Sequence, residues 1–139
     1  MKHRIIHKPI IFGTHAVYLG KKAPEDKTHK WCCYVRGYDG EDISRFISKV
    51  EFDLDTSFPE PNIHITRPPF QIQENGWGQF TIGIKLYFHC PSCKPIELGK
   101  ELILFDDLPR KEKRPIIAED YNELVFVEPS PMMLKLLIP

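Results

Sequence analysis

Two short stretches carry the residue types from which a recognition site can be built. The first is Glu74-Asn75-Gly76-Trp77-Gly78-Gln79-Phe80, where a large flat ring is held between two glycines. Glycine leaves the backbone bare, so another group can approach closely. The second is Ser57-Phe58, with Asp55 two residues upstream. Two rings, a bare backbone and a hydroxyl suit a flat, neutral, polar group such as an amide. The rings supply apolar and π contact, and the backbone N–H and the Ser57 hydroxyl supply directional bonds. On a plainer reading, Asn75-Gly76 is a turn signal, the glycines serve only the turn, and Trp77 caps one end of a β-sandwich.

Other chemistries are less complete. Cys90-x-x-Cys93 has the spacing of half a zinc ribbon. Its complement is missing: Cys32 and Cys33 are adjacent, so in a strand they point to opposite faces, and His89 alone leaves the set short. A plain hairpin turn therefore ranks above zinc, and zinc above redox chemistry; no metal is expected. Ser57, Asp55 and either His29 or His64 supply the types a nucleophilic site needs. No nucleophile elbow, glycine-rich phosphate loop or metal-ligand helix accompanies them. No catalytic residue and no cofactor is expected, and the chain is read as a non-enzyme.

The elements that must position these residues are strands. From Phe80 to Phe88, apolar Phe80, Ile82, Ile84, Leu86 and Phe88 alternate with Thr81, Gly83, Lys85 and Tyr87, which is the period of a half-buried strand. Trp77 then sits on the loop at its mouth. A long strand bent near Gly13 is expected over 5–19, and a second over 29–36 with Trp31, Cys33 and Val35 on one side. A third has Phe46, Val50, Phe52 and Leu54 on one parity, with Ile47, Lys49, Glu51 and Asp53 on the other. Asn62 to Thr66 is a short strand that Pro68-Pro69 carries forward into Phe70 and Ile72. Ile96 to Phe105 reads as one strand, weak at Gly99-Lys100-Glu101. Asp106 to Pro115 is a charged loop, and Ile116-Ile117 and Glu123 to Val127 are two separate short strands. Pro129-Ser130-Pro131 opens a helix over 132–137. The fold class is all-β: an immunoglobulin-like antiparallel β-sandwich of about seven or eight strands with a short C-terminal helix. In such a sandwich the loops at one end converge, which would bring Phe58 and Trp77 face to face.

The 139 residues fit a single domain over 1–139. Nineteen basic and nineteen acidic residues give no net charge. Neutrality argues against a protein that coats nucleic acid by charge. Lys2, His3, Arg4, His7 and Lys8, and Arg110, Lys111, Lys113 and Arg114, are more often solvated edges and loops than a nucleic-acid surface. No apolar run reaches the ~20 residues that cross a bilayer, so no membrane association is expected. The first nine residues lack a signal-peptide core, because charges and Pro9 interrupt it. A cytosolic or nuclear setting follows, with the four cysteines reduced.

At these residues the sequence resembles the YEATS domain family, readers of acylated lysine in histone tails. It is most similar to the subgroup shared by variant-histone-exchange and acetyltransferase complexes. The resemblance runs through Lys8-Pro9-Ile10-Ile11-Phe12-Gly13, Thr28-His29-Lys30-Trp31, Val50-Glu51-Phe52, Ser57-Phe58 and Pro61. It continues through Arg67-Pro68-Pro69-Phe70, Gly76-Trp77-Gly78-Gln79-Phe80 and Asn122-Glu123-Leu124-Val125-Phe126. It implies an immunoglobulin-type sandwich in which Trp77 and Phe58 are the two aromatic walls of an acyl-lysine slot. It further implies that the Trp77 N–H bonds the acyl carbonyl and that Ser57 accepts the side-chain amide N–H. Gly76 and Gly78 would let the chain pass close, Phe80 would support the floor, and His29 would stand by the pocket loop in a structural role. The slot would be open-ended, admitting crotonyl as well as acetyl. Two positions depart from the family pattern: Asp55, where a His is usual, and Lys27, where a Phe or His is usual. Asp55 would hold the Ser57 hydroxyl as an acceptor.

The implied function is a nuclear chromatin reader that binds acylated histone tails. Its partners would be subunits of chromatin-remodelling or histone acetyltransferase complexes. The rival readings are an interaction scaffold with a weakened slot and a DNA-binding sandwich. An acidic rim of Asp39, Glu41, Asp42, Asp53, Asp55, Glu60 and Glu74 is expected to border the slot and draw in a basic tail.

Overall fold

A computed structural model describes residues 4–105 and 115–138. Among the described residues eight strands form two antiparallel sheets. In chain order they are β1 (Ile5–Tyr18), β2 (His29–Gly37), β3 (Ile47–Asp53), β4 (Asn62–Ile65), β5 (Phe70–Gly76), β6 (Thr81–Phe88), β7 (Ile96–Glu101) and β8 (Ile116–Val127). One sheet has the order β5-β2-β1-β8 and the other β4-β3-β6-β7. Alternation dictates this packing: Ile82, Ile84, Leu86 and Phe88 of β6 are buried between the sheets, as are Val50 and Phe52 of β3. They meet Ile10, Phe12, Trp31, Val35, Phe70 and Ile72 from the first sheet in one core. A single helix, α1 (Pro131–Leu137), closes the described chain. The Ser130 side chain accepts from the Met133 N–H, Pro131 occupies the first turn, and Met133 and Leu137 face the core. No helix among the described residues is long and apolar enough to cross a membrane.

The architecture is the sandwich that the strand count predicts, and five local expectations change. Phe46 and Ile47 are both buried, because a register shift between Ile47 and Lys49 breaks the alternation there. The Pro68-Pro69 step separates two strands instead of extending one: β4 lies in one sheet and β5 in the other. Asn75 and Gly76 are the last residues of β5, paired with Lys30 and His29, and so do not form a turn. Ile116 to Val127 is one continuous strand, because β1 pairs with it along its length from Ile5↔Val127 to Ala16↔Ile116. Lys100 shares the inward parity of Leu98 and Leu102, and its buried amine reaches the exposed Asp120 carboxylate of β8 at 2.9 Å; β7 ends at Glu101. The expected charged loop over 106–115, with Arg110, Lys111, Lys113 and Arg114, lies outside the described residues except for Pro115, as do Lys2 and His3.

Candidate functional site

Two loops from different sheets meet at one end of the sandwich. The β3–β4 loop is closed at its base by the Leu54 N–H donating 2.7 Å to the Pro61 carbonyl. Inside it, Asp55 to Phe58 form a tight turn, with the Phe58 N–H on the Asp55 carbonyl at 3.1 Å. The Asp55 carboxylate accepts from both the Ser57 N–H (3.2 Å) and the Ser57 hydroxyl (2.6 Å). These bonds from Ser57 hold the Asp55 carboxyl below the usual carboxylate range. Because the Ser57 hydrogen is committed to Asp55, the lone pairs on its oxygen are free to accept.

Phe58 turns inward from this loop. Its ring is 6.1 Å from Trp31 in an edge-to-face pair and 5.6 Å from Phe80. Trp31 and Phe80 are themselves 5.9 Å apart, so the three rings form one aromatic cluster. Trp31 is the base of that cluster, only 1% exposed. Its Nε1 has no hydrogen-bond partner among the described residues, and a Cβ on Gly76 would lie 3.5 Å from it and 3.8 Å from the Phe58 Cζ. The β5–β6 connection therefore passes directly over Phe58 and Trp31, and the two loops do converge.

Trp77 follows Gly76 and is held differently. It is 62% exposed. Among the described residues no ring contact joins it to Phe58. An amide stacked between two rings needs carbon contacts of about 3.5–4 Å on each side, so walls of such a slot stand about 7–8 Å apart and do not touch. Neither Gly76 nor Gly78 has a positive φ; the glycines that do are Gly20 and Gly40. A Cβ on Gly78 would meet no atom of the described residues within 4 Å. Turn geometry thus explains neither glycine, and the fold itself places no demand on Gly78.

Residues around the loop hold it in place. Gln79 Oε1 accepts from the Leu104 N–H at 2.8 Å and the Phe105 N–H at 3.1 Å, pinning the loop to the segment after β7. The Leu102 N–H donates 2.9 Å to the Phe80 carbonyl. His29, 4% exposed, lies under the end of β5, between Tyr18 (5.4 Å) and Phe105 (5.1 Å). Thr28 Oγ1 sits 2.8 Å from His29 Nδ1 and donates to the Gly76 carbonyl at 3.4 Å. Burial lowers the His29 pKa, which favours the neutral ring. The sequence alone assigns no role to Gln79 and places Trp31 only on one side of its strand. A loop Gln between Gly78 and Phe80 gives no periodic signal, so its bond to a distant segment shows only in three dimensions.

The expected acidic rim is smaller than its sequence reading. Asp39, Glu41 and Asp42 follow the Gly37 end of β2, whereas the loops meet at its His29 end. There Glu41 pairs with Lys8 at 2.7 Å, and Asp42 accepts from Ser44. Asp53, Asp55, Glu60 and Glu74 remain near the converging loops, with Asp53 accepting from Asn62. Lys27, the other departure from the family pattern, is exposed in the β1–β2 loop. Among the described residues no group of three or more His, Cys, Asp or Glu side chains could hold a metal ion.

A profile described as the YEATS family matches residues 26–106. Transcription initiation factor TFIID subunit 14b of Arabidopsis thaliana is 44% identical over 133 residues, which cover 93% of this chain and 50% of that protein. Protein AF-9 homolog of Emericella nidulans is 38% identical over 135 residues, covering 89% and 49%. The chain spans about half the length of these curated relatives. Among solved structures, the Yaf9 YEATS domain bound to H3K27ac superposes with a TM-score of 0.87 at 36% identity, covering 99% of this chain and 96% of that one. The Yaf9 YEATS domain recognizing an H3K122suc peptide superposes at 0.86 with 37% identity, covering 99% and 96%.

Proposed function

The chain belongs to the YEATS family, and from that premise we propose that it reads acylated lysine on histone tails through a slot between Trp77 and Phe58. The observation that carries the reading is Gly78: open space lies where its side chain would be, its φ is ordinary, and yet the position beside an exposed Trp is bare. A ligand that must lie against the backbone accounts for this, and the fold does not. The related Yaf9 domains have been solved with H3K27ac and with an H3K122suc peptide.

In this reading the Trp77 ring and Phe58 ring stack on the planar acyl-amide, and the Trp77 N–H bonds its carbonyl. Ser57, its own hydrogen held by Asp55, accepts the amide N–H. Phe80 backs Phe58, and His29, through Thr28, steadies Gly76. Acylation removes the lysine charge. An unmodified ammonium, entering between two rings, would give up hydration without gaining an acceptor network in return. Acetyl is the primary group, and a flat longer chain such as crotonyl also fits an open-ended slot. The setting is nuclear, in a chromatin-remodelling or acetyltransferase complex. Calorimetric titration of one histone H3 tail peptide, with and without a single acetyl-lysine, tests the reading. At least tenfold tighter binding of the acetylated form is expected; equal binding, or none of either, would overturn it.

One observation favours an added scaffold role. Ile5, Val125 and Val127 stand exposed together on neighbouring β1 and β8, with Tyr121 further along β8. Protein partners held by this face should be retained by a Trp77→Ala variant.

A further inference from the structure

The opposite end of the sandwich carries a second cluster, which the acyl-lysine reading does not use. β6 runs from the slot end at Thr81 to Phe88, a span of roughly 23 Å. Just beyond it, the Cys93 N–H donates to the Cys90 carbonyl at 3.1 Å, which makes residues 90–93 a tight turn. Such a turn holds its first and fourth Cα atoms within about 7 Å, the separation a disulfide spans. Both thiols are free. Both line a groove of about 340 Å³ formed with Ser92, Lys94, Phe126 and Ser130.

We propose that Cys90 and Cys93 form a hydroperoxide-responsive dithiol, with Cys90 the attacking sulfur and Cys93 the resolving one. Two hydroxyls distinguish Cys90. Ser92 Oγ lies 2.9 Å from its sulfur and Ser130 Oγ lies 3.8 Å away. Ser130 already accepts the Met133 N–H at the start of α1, so its own hydrogen is free to point at Cys90. Hydroxyl donors stabilise a thiolate, and the bonds from Ser92 and then Ser130 bring the Cys90 pKa down to about 7. Cys93 is pushed the other way, first by burial and then by the Cys90 sulfur beside it. Cys33, in the core, is raised by burial to about 12 and serves as an inert internal reference.

The chemistry balances with a hydroperoxide as oxidant. The Cys90 thiolate attacks the terminal peroxide oxygen, the O–O bond breaks, and the leaving alkoxide or hydroxide takes a proton as alcohol or water. Cys90 becomes a sulfenic acid, oxidised by two electrons. Cys93 sulfur then attacks the Cys90 sulfur, the S–O bond breaks, and hydroxide leaves with the Cys93 proton as water. The product is the Cys90–Cys93 disulfide, which a thiol reductant returns to the dithiol.

The test treats the 139-residue chain with one equivalent of hydrogen peroxide at pH 7 and reads intact mass and peptide linkage. A loss of two hydrogens, mapped to Cys90–Cys93 and reversed by dithiothreitol, is expected. In Cys93→Ser the same treatment should leave a dimedone-trappable sulfenic acid on Cys90. Without any substitution, iodoacetamide should label Cys90 faster than Cys93 at pH 7 even though Cys90 is the less exposed of the two, at 5%, because the thiolate is the attacking form. Oxidation confined to other cysteines, no mass loss, or equal labelling of Cys90 and Cys93 would overturn the proposal.

Discussion

Phe58 and Trp77 are loop aromatics at the same end of the sandwich, but they are held in opposite ways. Phe58 is anchored: it packs on Trp31 and Phe80, and its loop is closed by the Leu54–Pro61 and Ser57–Asp55 bonds. The Trp77 ring is 62% exposed and has no ring partner among the described residues, and its backbone is fixed by β5 behind it and by Gln79 ahead. The difference separates two kinds of contribution. An anchored ring adds to folding whether or not ligand is present. A ring left in water adds nothing to the fold and costs some solubility, so its energy is available for binding. In the proposed slot, one wall belongs to the core and the other is left for a ligand.

Substitutions should split along that line. The largest effect is expected from Trp77→Ala: affinity for an acetylated H3 tail peptide falls about 30-fold or more, the ~2 kcal/mol of a hot-spot aromatic. Its denaturant midpoint stays within about 0.5 kcal/mol of the parent. Phe58→Ala should do both kinds of damage. Loss of a half-buried ring costs about 1–3 kcal/mol of stability by urea titration, below the range for a fully buried one, together with about tenfold in affinity. If Trp77→Ala destabilised the fold as much as Phe58→Ala, the contrast between anchored and free wall would fail.

Gly78→Ala sharpens the comparison from the backbone side. With no atom within 4 Å of the new Cβ and an ordinary φ, stability should hold or rise by up to ~1 kcal/mol. Affinity should fall several-fold as the methyl enters the slot. Ser57→Ala removes one acceptor and should cost about fivefold in affinity, near 1 kcal/mol, with little change in stability. The smallest effect concerns pH. Burial keeps the His29 pKa below its usual 6.5, so the unfolded chain takes up that proton first. This contribution to stability is complete above pH 6.5 and declines as the pH falls below it. Urea midpoints from pH 7.5 to 5 should show the decline, flattened in His29→Asn.

The sequence disclosed the sandwich because its strands are long and one face of each is buried: period two in Phe80–Phe88 needs no tertiary knowledge. It misled where pairing partners override local signals. Asn75-Gly76 reads as a turn, but hydrogen bonding to His29 and Lys30 keeps it in β5. Asp39, Glu41 and Asp42 suggest a rim by charge alone, but charge along the chain does not say which end of a strand a turn occupies. The loop pair could be named from residue types. The anchoring of Phe58 by Trp31, the bracing by Gln79 and the conformational idleness of Gly78 are properties of folded geometry alone. The dithiol turn is legible as a turn from its residue types, and the Cys93 N–H to Cys90 carbonyl bond closes it. Ser92 stands inside the motif, but the second serine at Cys90, Ser130, shows only in the fold because it is 40 residues away.

The central claim is that one planar acyl group sits between a core-anchored ring and a free one. The direct measurement is NMR on the chain bound to a histone H3 tail peptide carrying a ¹³C-methyl acetyl-lysine, with nuclear Overhauser contacts read from that methyl. Contacts to ring protons of both Trp77 and Phe58 are predicted. Contacts to neither ring, or to residues at another face of the sandwich, would contradict the account.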